Sequence, residues 1–118
     1  MYDVGIKIEF SSAHFLRDFS GPCENLHGHN WKVETLFSQE KLDEQGMVID
    51  FAVAKSELNK IISKVDHKLL NEVPPFDKIN PTAENIAKWI FDELANNLPV
   101  SPSKVTVYET DECFASYY

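Results

Sequence analysis

The chain has 118 residues and a formal net charge of −8, and 43% of its residues are hydrophobic, which predicts one folded domain over 1–118. No apolar run approaches the roughly 18 residues of a transmembrane helix, and the N-terminus lacks the pattern of a secretory signal. We therefore expect a cytoplasmic protein without a membrane partner, and the acidic charge argues against a nucleic-acid partner, which would favour a basic face.

Two segments near the start of the chain alternate as half-buried strands do. Apolar side chains recur at every second position from Val4 to Phe10, and the same alternation runs over 31–38. A Gly-Pro turn signal at 21–22 separates the two segments. The pattern predicts two strands before the first helix.

Two helices are predicted in the middle of the chain. Asp50 is a suitable N-cap for the first, because apolar residues then recur at helical spacing up to Val65. Thr82 is a suitable N-cap for the second, with Glu84 in the first turn, where the helix dipole favours an acid. Pro99 marks the end of this second helix.

Alternation over 104–109 predicts a third strand, and 114–118 is expected to form the last one. The order strand, strand, helix, helix, strand, strand is typical of an α+β domain, in which two helices cover one face of a four-stranded antiparallel sheet. Aromatic residues are expected to make the other face partly apolar, which predicts oligomerisation. They are Phe10, Trp31, Phe37, Tyr117 and Tyr118.

The histidines carry most of the functional information. Of the four in the chain, His27 and His29 flank Gly28. In an extended segment, positions i and i+2 point to the same face, about 7 Å apart. Both imidazoles can therefore bind one zinc ion, and His14, at the end of the first strand, is a candidate third ligand. Three protein ligands and an open fourth position are typical of catalytic zinc. Two surface histidines in a loop are the alternative.

Two other features add to this interpretation. Cys23 lies four residues before His27 and is either a reactive thiol or a fourth ligand that would close the site as a structural one. Asp66 and His67 form an acid–imidazole pair, although a histidine there could instead cap a helix C-terminus. Cys113 has no such company and is interpreted as an incidental thiol.

Six motifs, in order along nearly the whole chain, resemble those of the 6-pyruvoyltetrahydropterin synthase and 6-carboxytetrahydropterin synthase family. They are 10–14, 23–31, 46–51, 66–71, 81–85 and 107–110. The three residues between Cys23 and His27 resemble the bacterial 6-carboxy-5,6,7,8-tetrahydropterin synthases of the queuosine pathway, whereas the pyruvoyl enzymes carry a longer insertion. Phe15 departs from the family pattern, in which an arginine commonly follows the first histidine; here the arginine is Arg17.

The resemblance implies the tunnelling fold (T-fold), in which subunits form a trimeric barrel and two trimers stack into a homo-hexamer with active sites at subunit interfaces. It implies zinc on His14, His27 and His29. The implied reaction converts 7,8-dihydroneopterin triphosphate into 6-carboxytetrahydropterin, acetaldehyde and triphosphate. A 6-pyruvoyltetrahydropterin synthase and a zinc-binding homologue without turnover are the alternatives.

The resemblance also implies roles for further residues. Cys23, Asp66 and His67 match the family's catalytic group. Glu109 matches its pterin-anchoring glutamate, with Thr82 and Glu84 nearby. The alternation over 104–109 agrees with an inward-facing Glu109, although a strand-end glutamate more commonly turns to water.

Overall fold

The computed structural model describes residues 1–18, 21 and 24–118. Within these ranges the strands and α-helices follow the predicted order, which confirms the α+β class. They are β1 (Tyr2–His14), β2 (His27–Gln39), α1 (Phe51–Ile62), α2 (Ala83–Asn97), β3 (Lys104–Tyr108) and β4 (Phe114–Tyr117). A short 3₁₀ helix, Leu70–Glu72, lies between α1 and α2. No helix among the described residues is long and apolar enough to span a membrane.

The sheet is antiparallel with the strand order β1-β2-β3-β4, and both α-helices lie in the connection between β2 and β3. The first strand ends at His14, as the sequence predicts, but the second is longer than predicted, because β2 already begins at His27. Polar cross-strand contacts support this extension: the Ser11 hydroxyl donates to Asn30 Oδ1 at 2.7 Å. The extended hairpin brings all three candidate ligands into the sheet.

Both helices begin where the sequence predicts. Asp50 Oδ1 accepts from the Ala52 amide at 2.8 Å, and Thr82 Oγ1 accepts from the Asn85 amide at 3.1 Å. The apolar stripes of α1 and α2 pack on one face of the sheet and form the core with it. The largest fully buried side chains on the two helices are Leu58, Ile61, Ile86, Ile90 and Leu94.

The Thr82 cap leads to a first prediction. Replacing Thr82 with Ala should lower the free energy of unfolding by about 1 kcal/mol, because the Asn85 amide loses its acceptor at the start of α2. The Thr82→Ser variant keeps a hydroxyl and should retain most of the stability. Urea unfolding measures both. An Ala variant as stable as the parent would mean that the hydroxyl does not cap the helix.

One prediction about the open face of the sheet, the face away from the helices, is wrong. Phe10, Trp31 and Phe37 were expected there, but they are 2%, 0% and 0% exposed and belong to the core under the helices. Even positions of β1 and odd positions of β2 face the helices, so these aromatic residues share one side. The opposite side instead carries ion pairs such as Lys7–Glu34, with 3.3 Å between Nζ and Oε1. These three residues therefore give no argument for oligomerisation.

Candidate metal centre

Three histidines lie close together where β1 ends and β2 begins. The register pairs His14 with His27 and Ser12 with His29, so the three imidazoles lie on neighbouring positions of one face. Their rings are close: the centroids of His14 and His27 are 4.5 Å apart, and those of His27 and His29 are 4.8 Å apart. The predicted convergence of His14 with the His-Gly-His segment is thus present in the structure.

Backbone carbonyls orient two of these rings. Pro81 O lies 2.8 Å from His14 Nδ1, and Asn25 O lies 2.6 Å from His27 Nδ1. Because a carbonyl oxygen can only accept, each Nδ1 carries the proton and each Nε2 presents a lone pair. Burial lowers the pKa of His14, which keeps this imidazole neutral as a metal ligand requires.

Glu109 completes the cluster. Its Oε1 lies 2.9 Å from His29 Nε2, 3.2 Å from His14 Nε2 and 3.9 Å from His27 Nε2. The candidate ligand atoms of the four residues all lie within 4.8 Å of one another. His29 Nε2 is buried and forms no hydrogen bond, because its contact with Glu109 is short but poorly directed. Three imidazole nitrogens and one carboxylate oxygen fit zinc, which favours such ligands in tetrahedral sites.

Trp31 forms the wall behind the cluster. Its ring lies 4.8 Å from the His14 ring and 5.3 Å from the His29 ring, both edge-on, and it stacks on Phe10 at 5.9 Å. Its Nε1 donates to Ser12 O at 3.2 Å, so the fully buried indole has its polar group paired. The apolar wall fixes the two rings and keeps water from that side of the site.

Asp66 and His67 form a pair at the outer edge of β1. Asp66 Oδ1 lies 2.8 Å from His67 Nδ1 and accepts from the Ser11 amide at 3.0 Å. The His67 amide donates to Ser11 O at 2.6 Å. The hydrogen bond from the Ser11 amide, and then the neighbouring His67, lower the pKa of Asp66 and keep it ionised. Because α1 ends at Ile62, His67 does not cap this helix.

The His67 side chain is 81% exposed, and its backbone is left-handed, with φ of 56°. It lies outside the four-residue cluster but lines, with His29, an open cavity of about 550 Å³. Ser11, Asn30 and Lys68 also line this cavity. Of the predicted site residues, His29 and His67 therefore line the same cavity.

The remaining predicted residues have different positions. Thr82 follows Pro81, whose carbonyl orients His14, and its own hydroxyl caps α2. Glu84 is exposed in the first turn of α2 and is not part of the cluster. Cys23 lies outside the described residues. Cys113 is exposed.

Sequence reasoning did not foresee the role of Arg17. Its guanidinium donates to three backbone carbonyls, those of Phe76 at 2.8 Å, Asn71 at 3.1 Å and Ile79 at 3.2 Å. The segment after β1 is thereby fixed to the loop before α2. A triple carbonyl contact leaves this arginine little capacity for a phosphate, and no feature of the sequence distinguishes the two uses.

The comparisons with known proteins agree with this geometry. The family described as 6-pyruvoyl tetrahydropterin synthase matches residues 3–118. The chain belongs to this family. A relative named putative 6-carboxy-5,6,7,8-tetrahydropterin synthase, from Archaeoglobus fulgidus, is 40% identical over 95% of this chain and 91% of its own. The human 6-pyruvoyl tetrahydrobiopterin synthase is 38% identical over 97% of this chain and 89% of its own.

The fold also matches that of a solved family member. The Caenorhabditis elegans 6-pyruvoyl tetrahydropterin synthase aligns with a TM-score of 0.88 and 30% identity, covering 98% of this chain and 94% of that one. The expected tunnelling fold is thereby confirmed for the subunit. Relatives of both the carboxy and the pyruvoyl name match at similar identity, so family membership alone does not select the product.

Proposed function

We propose that this chain is a cytoplasmic, zinc-dependent 6-carboxy-5,6,7,8-tetrahydropterin synthase over its single domain, 1–118. The reaction consumes 7,8-dihydroneopterin triphosphate and water and yields 6-carboxytetrahydropterin, acetaldehyde and triphosphate. The observation that carries the proposal is the convergence of His14, His27 and His29, with two of the imidazoles fixed in the tautomer that binds metal. Zinc held there would supply a Lewis acid that makes substrate hydroxyls more acidic.

Acid–base roles are assigned to the remaining matched residues. Cys23 would act as a thiolate base, its pKa lowered by the nearby cation. Asp66 holds His67 Nδ1 at 2.8 Å, so the other ring nitrogen is free to exchange protons with a substrate. The cavity shared by His29 and His67 supports this placement.

Substrate contacts and assembly complete the proposal. Glu109 would accept hydrogen bonds from the amino-amide edge of the pterin, for which a carboxylate is a bidentate match, with Thr82 and Glu84 close to the ring. The exposure of His67 agrees with a site that a neighbouring subunit completes, as in a trimeric barrel within a homo-hexamer.

Product analysis tests the reaction. The zinc-loaded protein is incubated with 7,8-dihydroneopterin triphosphate, and the pterin product is identified by mass spectrometry. 6-Carboxytetrahydropterin together with acetaldehyde is expected. A product that retains the three-carbon side chain would instead identify the pyruvoyl synthase, which the human relative makes the second candidate. Unchanged substrate would favour a zinc-binding homologue without turnover.

Replacing Cys23 with Ala should reduce turnover by a factor of roughly 10² to 10⁴, the usual contribution of a positioned base. Bound zinc should stay at one ion per chain, because the thiol is proposed as a base and not as a ligand. Turnover and metal analysis of the same sample measure both. Cys113→Ala is the matched control and should change neither. Loss of zinc from the Cys23→Ala protein would identify a closed structural site.

A further inference from the structure

The Glu109 carboxylate lies among the metal-binding nitrogens, although the family resemblance assigns it to the pterin. Its Oε1 is 2.9 to 3.9 Å from the three Nε2 atoms. The backbone holds it there, since the Glu109 amide donates to Cys113 O at 3.0 Å where β3 leads into the turn. No other ion pair of this carboxylate occurs among the described residues.

The tautomers of His14 and His27 bear on how Glu109 contacts them. His14 Nδ1 and His27 Nδ1 donate to carbonyls, so their Nε2 atoms carry lone pairs. In this tautomer His14 Nε2 has no proton to donate across its 3.2 Å contact with Glu109 Oε1, so the contact brings two acceptors together, which is unfavourable in a partly buried site. A cation among these atoms would turn the repulsion into coordination.

The distances agree with such a cation. Zinc bonds of about 2.0 to 2.1 Å in a tetrahedron place the ligand atoms about 3.3 Å from one another. The three Glu109–histidine distances, 2.9, 3.2 and 3.9 Å, lie on both sides of this value. Glu109 Oε1 therefore occupies the position of a fourth ligand.

We propose that Glu109 is the fourth metal ligand of the resting protein and that a bound pterin displaces it from the metal. The first part needs only the metal site; the second rests on the proposed function. The amino-amide edge of a pterin offers donors that match a carboxylate, and the oxygen cannot serve both partners in one position. The carboxylate would move from the ion to the pterin, which opens one coordination position only when a pterin is present.

Metal affinity tests the first part without substrate. Zinc binding is measured by competition with a chromophoric chelator for the parent, Glu109→Ala and Glu112→Ala. Loss of the fourth ligand should weaken zinc binding by about 10- to 100-fold, the range seen when groups supporting a metal site are removed. Glu112 is exposed in the same turn and outside the cluster, so its variant should bind as the parent does. Equal affinity of the parent and Glu109→Ala would overturn the ligand assignment.

Cobalt spectra test the displacement. Co²⁺ is loaded in place of zinc, and the visible absorption is recorded before and after adding biopterin, which does not react. The parent spectrum should shift with biopterin, and that of Glu112→Ala, which keeps the Glu109 carboxylate, should shift in the same way. A parent spectrum that stays the same at saturating biopterin would overturn the displacement. Product analysis, done separately on the zinc protein, shows whether the proposed reaction itself fails.

Discussion

Replacing Trp31 with Ala is expected to lower the free energy of unfolding by about 3 to 5 kcal/mol, the range for a buried tryptophan truncated to alanine. The indole is fully buried, stacks on Phe10 and donates to Ser12 O. Its loss would leave a cavity under the sheet and an unpaired carbonyl. Because the rings of His14 and His29 lie edge-on against it, zinc affinity should fall as well.

Chemical denaturation measures the loss of stability, and chelator competition measures the loss of affinity. Trp89→Ala is the matched control: this tryptophan is only half-buried, packs on Phe76 and lies on α2 away from the histidines. It should cost less stability and leave zinc affinity unchanged. A Trp31→Ala protein as stable as the Trp89→Ala protein would contradict the proposed role of the indole.

Replacing His29 with Ala is expected to weaken zinc binding by more than about 100-fold, since losing a supporting group alone costs 10- to 100-fold. His29 Nε2 is buried and forms no hydrogen bond, and it lies nearest to Glu109 Oε1. Removing it takes away one nitrogen ligand and opens the cluster to water on that side.

The measurement is zinc content after dialysis against a weak chelator. His67→Ala is the control, because His67 lies outside the cluster and is 81% exposed. It should keep one zinc per chain while turnover falls. If the His29→Ala protein keeps stoichiometric zinc and its circular dichroism is unchanged, the histidine cluster is not the metal site.

Much of the site follows from the two-residue period of a strand. His27 and His29 share a face for this reason alone, and the alternation through Val105 and Val107 correctly places Glu109 on the inner side. The meeting of His14 with His27 depends on the hairpin register, which local sequence does not specify once the apolar alternation stops at Phe10.

The same period could have prevented the error about the open face. Trp31 and Phe37 share parity with His27 and His29, so placing the histidines inward also places these aromatic residues under the helices. Contacts through backbone carbonyls were beyond prediction. Pro81 O contacts His14 only because the loop before α2 returns to the end of β1. Every residue has a backbone carbonyl, so the sequence does not indicate which one will orient a side chain.

The left-handed backbone at His67 has an energetic cost. A side chain at positive φ costs about 1 to 2 kcal/mol relative to the usual helical region, a cost that glycine avoids. The exposed imidazole recovers little of that energy by packing. Glycine at this position would therefore be expected to give a higher free energy of unfolding than His67, which presents an imidazole to the cavity at some cost in stability.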